Sequence, residues 1–477
     1  MITYIKIDGF KSFKDFEMHF TPFTVIAGTN ASGKSNLFDA LQLLSDLARF
    51  PLNKAFTQQR GNGTELFTQY DEDLYATEMS FAVELLVPPT VSDEWGGEAR
   101  LQSTRLRYEI TIGRGVDDKQ PFELTILHEE LKEVLATSDI WTDKLITANQ
   151  RAERIMYSPY AEGIDEVYHY IYTVKKEGLN FIHTSFDSKQ DEERIIDAGK
   201  STRTALSAND KVDYPHAYAT REEISKWRFL QLNAEHLRQP TPKTAGISYK
   251  ITSSGENLAA ALYRIQKPEP FIMNDISRDM ANLIRPLVEV TVKDDSANNQ
   301  YLIEVKSSDS KKYSSRVLSE GTLRLLTLSI FRHDYEHTGL LCYEEPENGV
   351  HPGRIPKLVN LLNDLAVDFS DPTAPLRQII VNTHSPIVVG EVIKLEESHG
   401  ASVWFTQLAS TLVEIAEKRY PVRITLASLV AKEKSSNKVL DWAGFYNKGN
   451  DKIRRLTLIQ AKEYLAANGI SENSLSL

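Results

Sequence analysis

The residues Gly28–Ser35 read G-x-x-x-x-G-K-S, and they lie between an apolar run and a helical pattern. The apolar run is Phe23-Thr-Val-Ile-Ala, and the helical pattern starts at Leu37. The two glycines let the backbone turn its N–H groups towards phosphate oxygens, while the following helix directs its positive end at them. The lysine adds a positive charge, and the serine adds a hydroxyl ligand for Mg²⁺. The pattern therefore predicts a strand, a phosphate-binding loop and a helix that together form a site for a nucleoside triphosphate.

The size and composition of the chain are compatible with such a fold and exclude several other classes. Its 477 residues suffice for about two to four domains of roughly 100 to 200 residues each, and 41% hydrophobic residues support substantial cores. The single cysteine, Cys342, excludes an internal disulfide and a four-cysteine zinc site, and it fits a reducing compartment. The N-terminus has no apolar signal core, and no run approaches the roughly 20 apolar residues of a membrane span. We therefore expect a globular cytoplasmic protein without a membrane segment.

The formal net charge of −11 argues against a protein whose whole surface coats nucleic acid, because such binding depends on neutralising phosphates with lysine and arginine. Two local sets of basic residues remain compatible with contact to nucleic acid or with an ordinary solvated surface. These sets are Lys306, Lys311, Lys312 and Arg316, and Lys448, Lys452, Arg454 and Arg455.

The segments around and after the loop show mixed α and β patterns. Residues 1–50 predict two strands and a helix, with Phe10–Phe13 in the turn between the strands. Met79–Val87 and Arg105–Ile112 alternate apolar with polar residues, which predicts half-buried antiparallel strands. The predictions that follow in chain order are a helical region over 129–156, a strand pair over 168–173 and 178–183, an exposed loop over 186–215, a helix over 221–227, a strand over 228–233, helices from Gly255 and over 271–284, and a strand pair over 288–292 and 301–305.

A second motif, Leu318-Ser-Glu-Gly-Thr, opens another apolar-periodic helix. Ser319 and Gly321 at its start give a second helix N-terminus that suits an anion. A helix capped by a serine for packing reasons explains the same residues equally well.

Paired carboxylates follow a buried apolar run that begins at Gly339. The run is too apolar for an edge strand and belongs in a covered parallel sheet, and its C-terminal end is where open α/β sheets bind ligands. If this strand lies beside the strand that precedes Gly28, Glu344 reaches the Mg²⁺ held by Ser35. Glu345 then orients and deprotonates a water molecule that attacks the γ-phosphate. An acidic junction between a strand and a loop is the alternative without a ligand.

A further apolar strand, Gln378–Thr383, ends in His384-Ser-Pro. A histidine at this strand end is suited to hydrogen-bond the γ-phosphate and to sense its loss. A capping or simply exposed histidine is the other interpretation.

The order of these motifs resembles that of the ABC-type ATPases of the RecF, SMC and OLD-like group. A phosphate loop near the N-terminus is followed by S-E-G-T at a helix start, E-E-P-E-N-G-V-H-P after one strand and T-H-S-P after the next. The similarity is strongest to compact prokaryotic members whose ATPase head is interrupted. It covers about residues 1–60 and 250–390, and it includes the helix start Gly255-Glu-Asn-Leu.

The resemblance implies an α/β fold in which a P-loop NTPase head of the ABC type is split by a mixed α+β insertion. SMC-like members carry long coiled-coil arms at the place of this insertion. The implied domains are an N-terminal half of the head over 1–65, an insertion or lid over 66–250, a C-terminal half of the head over 251–395 and a C-terminal extension over 396–477.

In the ATPases that the chain resembles, two heads sandwich two ATP molecules, and each signature helix completes the site of the other subunit. Carried over, Ser319 and Gly321 contact the γ-phosphate in trans. The implied metal ligands are Ser35 and Glu344, and the implied catalytic residues are Glu345 and the switch histidine His384. The implied nucleotide-binding residues are Gly28, Asn30, Gly33, Lys34, Ser35, Asn36, Lys11, Ser319 and Gly321. The ligands are then ATP and Mg²⁺, and the assembly is a homodimer or a higher homo-oligomer.

The chain also departs from the pattern of this group. The metal-associated acid is usually aspartate, whereas Glu344 is one methylene longer. The glutamine that usually bridges Mg²⁺ and the two lobes is open among Gln42, Gln58 and Gln59. OLD-like nucleases carry a D-x-D pair after the histidine strand, but no such pair follows Pro386, which argues against intrinsic nuclease activity.

The resemblance implies an ATPase whose ATP-driven head dimerisation regulates a process that involves DNA. The leading hypothesis is an ATPase subunit of an anti-phage defence system, such as the Septu type, with a separately encoded nuclease as its effector. A DNA-repair ATPase of the RecF kind and an ATP-gated scaffold without DNA contact are the alternatives.

Overall fold

A computed structural model describes residues 1–115, 123–146, 154–157, 167–186, 189–244, 249–430 and 451–466 of the chain. These residues form a mixed α/β structure with one eight-stranded and one six-stranded sheet as its largest sheets, which confirms the predicted α/β class. None of the helices in the described ranges is both long enough and apolar enough to cross a membrane.

The strands are, in chain order, β1 (Ile2–Asp8), β2 (Phe16–His19), β3 (Phe23–Gly28), β4 (Gln69–Asp71), β5 (Leu74–Tyr75), β6 (Glu78–Leu86), β7 (Thr90–Ser92), β8 (Glu98–Arg100), β9 (Arg105–Arg114), β10 (Leu124–Glu133), β11 (His169–Lys176), β12 (Leu179–Phe186), β13 (Lys189–Asp197), β14 (Arg228–Leu230), β15 (Thr241–Pro242), β16 (Leu287–Asp295), β17 (Gln300–Ser307), β18 (Lys312–Ser314), β19 (Gly339–Glu344), β20 (Arg377–Thr383), β21 (Ala401–Ile415) and β22 (Lys418–Val430). The α-helices are α1 (Lys34–Leu47), α2 (Leu52–Thr57), α3 (Ile140–Leu145), α4 (Pro215–Ser225), α5 (Ala234–Arg238), α6 (Leu258–Gln266), α7 (Ile272–Leu283), α8 (Glu320–His333), α9 (Ile355–Leu365), α10 (Pro386–His399) and α11 (Asp451–Ala466).

The six-stranded sheet positions the candidate site. Its strand order is β14-β19-β20-β3-β21-β22, in which the first five strands are parallel and β22 returns antiparallel at the edge. Strands β3 and β20 are buried at every position, and β19 at all but its last. Such nearly continuous apolar runs are expected of strands that are covered on both faces.

Two hydrophobic cores cover the two faces of this sheet. Because successive side chains of a strand point to opposite faces, Val25 and Ile26 belong to different cores. Ile26 packs in the core that contains helix α1 and much of the eight-stranded sheet, whereas Val25 packs in the core that contains α8, α9 and α10. The phosphate-loop strand is therefore anchored from both sides.

The eight-stranded sheet is antiparallel, with strand order β13-β12-β11-β10-β9-β6-β1-β2. It confirms the antiparallel strands predicted over Met79–Val87 and Arg105–Ile112, and it includes the strand pair predicted over 168–173 and 178–183. The prediction of two strands in the first 50 residues is one short, because the four residues of β2 form a further strand against β1.

Two predictions for the insertion are wrong. Residues 129–133 are the end of β10 and not the start of a helix, because pairing with β9 and β11 holds them extended. Helix α3 lies within this range, and residues 147–153 lie outside the described part. The loop predicted over 186–215 contains β13, which pairs with β12 at the edge of the sheet.

The remaining element predictions hold with shifted ends. The helix expected at 221–227 spans Pro215–Ser225, and the strand expected at 228–233 spans Arg228–Leu230. Helices α6 and α7 and the strand pair β16 and β17 lie where the sequence predicts them. Strands β21 and β22, which no motif predicted, bring residues after 395 into the sheet that holds the phosphate loop.

Candidate active site at the carboxyl edge of the parallel sheet

Adjacent parallel strands bring the motif residues to one edge of the six-stranded sheet. The register pairs Glu344 of β19 with Asn382 of β20, and Thr383 of β20 with Ala27 of β3. Strand β20 thus lies between β19 and β3, so the carboxylate strand is not the direct neighbour of the phosphate-loop strand. The carboxyl ends still meet at one edge, which is where open α/β sheets bind ligands.

The loop after β3 forms a cradle around the Lys34 side chain. The Lys34 ammonium donates hydrogen bonds to the carbonyls of Gly28 and Thr29, both at 2.8 Å. Burial lowers the pKa of this ammonium below its ordinary value, against the opposing charges of Glu345 and Glu347. An anion in the loop would compensate the cost of burying this positive charge.

Gly33 is required by the packing of this loop. Its φ angle is 92°, and a Cβ atom there would lie 2.0 Å from the Thr425 Oγ1 atom. The Thr406 hydroxyl lies 2.8 Å from the Ser32 hydroxyl and also donates to the carbonyl of Ala27. Strands β21 and β22 therefore support the loop from behind, although their sequence carries no phosphate-binding motif.

Helix α1 starts at the loop with its N-terminal N–H groups available. No side chain caps this end, and its first turn contains no acidic residue. Uncapped N–H groups and the positive end of the helix dipole favour an anion. Among the described residues, no side chain or backbone group hydrogen-bonds the exposed Ser35 hydroxyl, whereas the Asn36 side chain donates to the Ser12 hydroxyl at 2.7 Å. Ser35 thus offers its oxygen to a ligand, while the Asn36 amide is already engaged.

A cavity of about 440 Å³ unites the loop with the ends of β19 and β20. Its volume lies within the range of small-molecule sites. Its lining residues are Asn30, Ala31, Ser32, Gly33, Lys34, Ser35, Asn36, Glu344, Glu345 and Asn382.

Glu344 lies partly buried at the tip of β19. Burial raises the pKa of its carboxyl, while the positive charge of Arg60 opposes the shift. One carboxylate oxygen lies 3.8 Å from the Arg60 guanidinium, and the other accepts a hydrogen bond from the Gln231 amide at 3.3 Å. The carboxylate lines the same cavity as Ser35.

Glu345 and His384 form a pair across the ends of two strands. His384 Nδ1 lies 2.9 Å from Glu345 Oε1, and the Asn348 amide donates to Glu345 Oε2 at 2.7 Å. Burial raises the pKa of Glu345, but the hydrogen bonds from Asn348 and His384 and the charges of His384 and Lys34 outweigh it and lower the pKa below its ordinary value. The carboxylate is therefore held in its basic, ionised form.

The backbone of Glu345 is unusual for a residue with a side chain. Its φ angle is 45°, in the left-handed region, and its N–H donates to the carbonyl of Asn382 at 3.0 Å. Non-glycine residues in this region are uncommon and concentrate at functional sites. The bond to Asn382 fixes the carboxylate relative to the strand that ends in His384.

Glu347 is a buried carboxylate that the sequence analysis did not assign to the site. The Thr383 hydroxyl donates to its Oε1 atom, and burial raises the pKa of the group. Its Oε2 atom is buried without a hydrogen-bond partner among the described residues. Glu347 therefore supports the backbone on which His384 lies.

The sequence leaves the bridging glutamine open among Gln42, Gln58 and Gln59. In the structure, a fourth glutamine, Gln231, donates a hydrogen bond to Glu344. Gln42 and Gln59 both donate to Asp46, at 3.1 and 2.9 Å, and all three glutamines line an adjoining cavity of about 240 Å³ together with Gln231 and Glu344. Gln231 follows β14, the parallel neighbour of β19, and bonds Glu344. Gln231 is thus a polar residue directly after a strand, as His384 is.

Lys11 points to the start of helix α1 and not into the phosphate cavity. Its ammonium lies 2.7 Å from the Asp39 carboxylate, and it is absent from the residues that line the cavity. Its φ angle of 46° belongs to the tight turn between β1 and β2.

The signature residues lie at the N-terminus of α8. The Ser319 hydroxyl accepts a hydrogen bond from the Thr322 N–H at 3.3 Å, so it caps the helix. Gly321 is buried, and a Cβ atom there would lie 2.3 Å from the carbonyl oxygen of Gly349. Ser319 is exposed and does not line the phosphate cavity of its own chain.

Two of the four basic residues that precede the signature motif are paired with carboxylates. Lys306 lies 3.7 Å from Glu289 and Lys311 lies 3.3 Å from Asp309. Lys448 lies outside the described residues, and Lys452, Arg454 and Arg455 belong to helix α11.

Three solved structures that resemble the chain are heads of SMC proteins, and no curated protein sequence matches it. An SMC head bound to the C-winged helix domain of ScpA shares 12% identity at a TM-score of 0.46, with 89% of this chain and 98% of that chain covered. The SMC head domain from Thermotoga maritima shares 13% identity at a TM-score of 0.35, with coverage of 89% and 98%. An SMC head with an extended coiled coil, bound to the C-terminal domain of ScpA from Pyrococcus furiosus, shares 14% identity at 0.41, with coverage of 89% and 96%.

The family match spans the whole region between the phosphate loop and the switch histidine. Residues 23–390 match AAA_21, described as "AAA domain, putative AbiEii toxin, Type IV TA system". The matched region contains the phosphate loop, the signature helix start, the paired carboxylates and His384. The chain therefore belongs to the AAA_21 family of AAA-domain proteins.

Proposed function

We propose that the chain binds and hydrolyses ATP in the cavity at the carboxyl edge of its parallel sheet. The observation that carries the proposal is the Glu345–His384 pair, which lies 2.9 Å apart beside the cavity that the phosphate loop lines. An ionised carboxylate in this position can accept a proton from a water molecule that attacks the γ-phosphate.

The residues present fit the polyphosphate of ATP. Lys34 and the uncapped N-terminus of α1 supply positive charge and N–H donors on one side of the cavity. The close approach of Thr425 to Gly33 leaves no room for a side chain, so glycine allows the loop its positive φ angle at this position.

The residues also fit Mg²⁺, which prefers oxygen ligands. The Ser35 hydroxyl and the Glu344 carboxylate would hold the ion, and Gln231 lies next to Glu344. When bound, Mg²⁺ neutralises negative charge on the phosphates. Burial raises the pKa of the Glu344 carboxyl, and a cation bound beside it would stabilise its ionised form.

We also propose that two copies of the chain pair through their heads around ATP. The exposed N-terminus of α8 at Ser319 supports this proposal, because it offers a second helix N-terminus that the cavity of its own chain does not use. Gly321 lies close to the backbone of Gly349, which follows Glu345 in the chain. Movement of the α8 N-terminus when two heads pair would therefore also move the segment that carries Glu345.

The test of hydrolysis is the rate of phosphate release from ATP by the purified chain with and without Mg²⁺. We expect a Mg²⁺-dependent rate that the double variant Lys34→Ala/Glu345→Gln lacks. Equal rates in the wild type and in this variant would exclude the site described above. Mass measurement with and without ATP tests head pairing, and an unchanged mass in a hydrolysis-deficient variant would contradict it.

For the biological process, we propose ATP-controlled anti-phage defence with a separately encoded nuclease as effector. The absence of a D-x-D pair after Pro386 in the sequence and the toxin named in the family description support a head that controls another activity. Purification together with the product of the neighbouring gene tests the effector: a nuclease is expected, whereas recombination genes would favour the RecF-like alternative. ATP-dependent DNA affinity that does not change with salt concentration, or no DNA affinity, would favour the scaffold without DNA contact.

A further inference from the structure

The short segment that carries the switch histidine, Thr383–Ser385, is held from two sides. On the inner side, the Thr383 hydroxyl donates to Glu347 and accepts a hydrogen bond from the Ser385 N–H at 2.9 Å. On the outer side, the Tyr464 hydroxyl of helix α11 donates to the backbone carbonyl of His384. Tyr464 thus connects the last described helix of the chain to the residue that pairs with Glu345.

The Tyr464 side chain is partly buried and packs against the rest of the protein. Ala461 and Leu465 of the same helix are each 1% exposed and belong to the core that contains Val388 of α10. The Tyr464 ring packs against Phe405, with 5.5 Å between the ring centroids. The helix therefore holds the hydroxyl at a fixed place over the switch segment.

The carbonyl that Tyr464 binds lies at a break in regular structure. Strand β20 ends at Thr383, and helix α10 starts at Pro386 with Ser385 as its cap. The carbonyl of His384 therefore belongs to neither the strand ladder nor the helix, and the Tyr464 hydroxyl is the donor that it meets. A hydrogen bond to this carbonyl restricts rotation of the peptide plane next to His384 and, with it, the direction of the imidazole.

The same helix also reaches the phosphate loop through one strand. Phe405 pairs in register with Ala27, and the next residue, Thr406, contacts Ser32 of the loop. Tyr464 therefore contacts the switch segment directly and is connected to the phosphate loop through Phe405 and Thr406. Burial and the charge of Glu347 raise the pKa of Tyr464 to about 12, so the phenol remains a donor at neutral pH.

We propose that Tyr464 is a positioning residue for hydrolysis, through which helix α11 latches His384 in the orientation that pairs with Glu345. The proposal rests on the proposed ATPase function and adds a regulatory contact from outside the motif-bearing segments. A partner or a conformational change that lifts α11 would release the histidine without touching the nucleotide.

The test is the Tyr464→Phe variant, which removes the hydroxyl and keeps the ring on Phe405. Loss of one hydrogen bond of ordinary net strength corresponds to about a three- to tenfold change in rate, and we expect kcat to fall by that factor. KM for ATP and the affinity for a fluorescent ATP analogue should change less than about twofold, because the phosphate-binding groups are intact. Tyr335→Phe, at a tyrosine that is 68% exposed, serves as the matched control with unchanged kcat.

A double-mutant cycle distinguishes positioning from general support of the fold. If Tyr464 acts through His384, the Tyr464→Phe change should have no further effect on kcat in a His384→Ala background. Multiplicative losses, or an unchanged kcat in Tyr464→Phe, would overturn the latch. A wild-type rate no higher than that of Lys34→Ala would instead overturn the ATPase function on which the latch rests.

Discussion

The phosphate-loop end and the signature-helix end of this molecule are both helix N-termini, but they are built differently. Helix α1 starts without a side-chain cap and faces a cavity that it shares with Glu344 and Glu345. Helix α8 starts with the exposed Ser319 as its cap, and Ser319 does not line the phosphate cavity of its own chain. The first end is the proposed ATP site, whereas the second is the surface proposed to meet the ATP of a partner.

This difference supports the proposal that a single chain carries the two parts of a composite site at separate places. At the first end, buried charge is concentrated: Lys34, Glu345 and Glu347 lie close enough to shift one another's pKa values. At the second end, Ser319 bonds only its own helix turn among the described residues. Substitutions at the first end should therefore change ATP binding by a single chain. Substitutions at the second end should change only the turnover of a pair.

The largest expected effect is that of Glu345→Gln on turnover. The variant keeps the shape of the side chain but removes the base, which contributes about 10² to 10⁴ in rate. We expect phosphate release to fall by this factor while ATP binding persists, so that ATP-bound pairs accumulate. The measurement is steady-state phosphate release together with mass in ATP. Turnover at the wild-type rate would remove Glu345 from the role of the base.

The next effect is the loss of ATP affinity in Lys34→Ala. Hydrogen bonds to charged groups contribute about 1.5–3 kcal/mol, which corresponds to roughly a ten- to hundredfold weaker affinity. Titration with a fluorescent ATP analogue measures it on the single chain. Lys11→Ala is the matched control, because its ammonium is paired with Asp39 outside the cavity and should change the affinity much less. Equal losses in the two variants would place Lys11 at the phosphate as well.

Ser319→Arg should separate the two ends. A long cation at the exposed helix start blocks an approaching partner, so we expect at least about a tenfold loss of turnover with unchanged ATP affinity of the single chain. Mixing Ser319→Arg with Lys34→Ala chains should restore part of the rate, because the mixed pair contains one intact loop opposite one intact signature helix. Mixed pairs that form without recovering activity would show that the two ends do not meet in trans.

The site residues that sequence reasoning identified share one signal, a polar residue directly after a long apolar run. Glu344 is the last of the six residues of β19 and His384 follows the seven residues of β20, so their place at the sheet edge could be predicted. Gln231 follows a strand of only three residues, whereas the sequence predicts a strand over 228–233 with Gln231 inside it. Local pattern therefore predicted all three strands, but it placed the end of the shortest one too late to indicate Gln231 as a site residue.

Contacts across long sequence separations could not be predicted in the same way. Thr425 lies against Gly33 and Thr406 against Ser32, but neither threonine belongs to a motif. Their position follows from the pairing of β21 with β3, which only the folded sheet establishes. The helix expected from Glu129 failed for the same reason, because pairing with neighbouring strands decided the conformation of β10.

The smallest effect distinguishes a cap from a contact at the signature helix. Replacing a serine N-cap by alanine costs about 0.5–2 kcal/mol of stability, so we expect Ser319→Ala to lower the free energy of unfolding by this amount in urea denaturation. Ser35→Ala is the control, because helix α1 has no side-chain cap to lose and the free energy should stay within about 0.5 kcal/mol of the wild type. If Ser319→Ala leaves stability unchanged but reduces turnover, the serine acts on the partner's nucleotide and not as a cap. If Ser35→Ala destabilises the chain as much as Ser319→Ala, the side-chain cap at Ser319 is not what distinguishes the stability of the two helix starts.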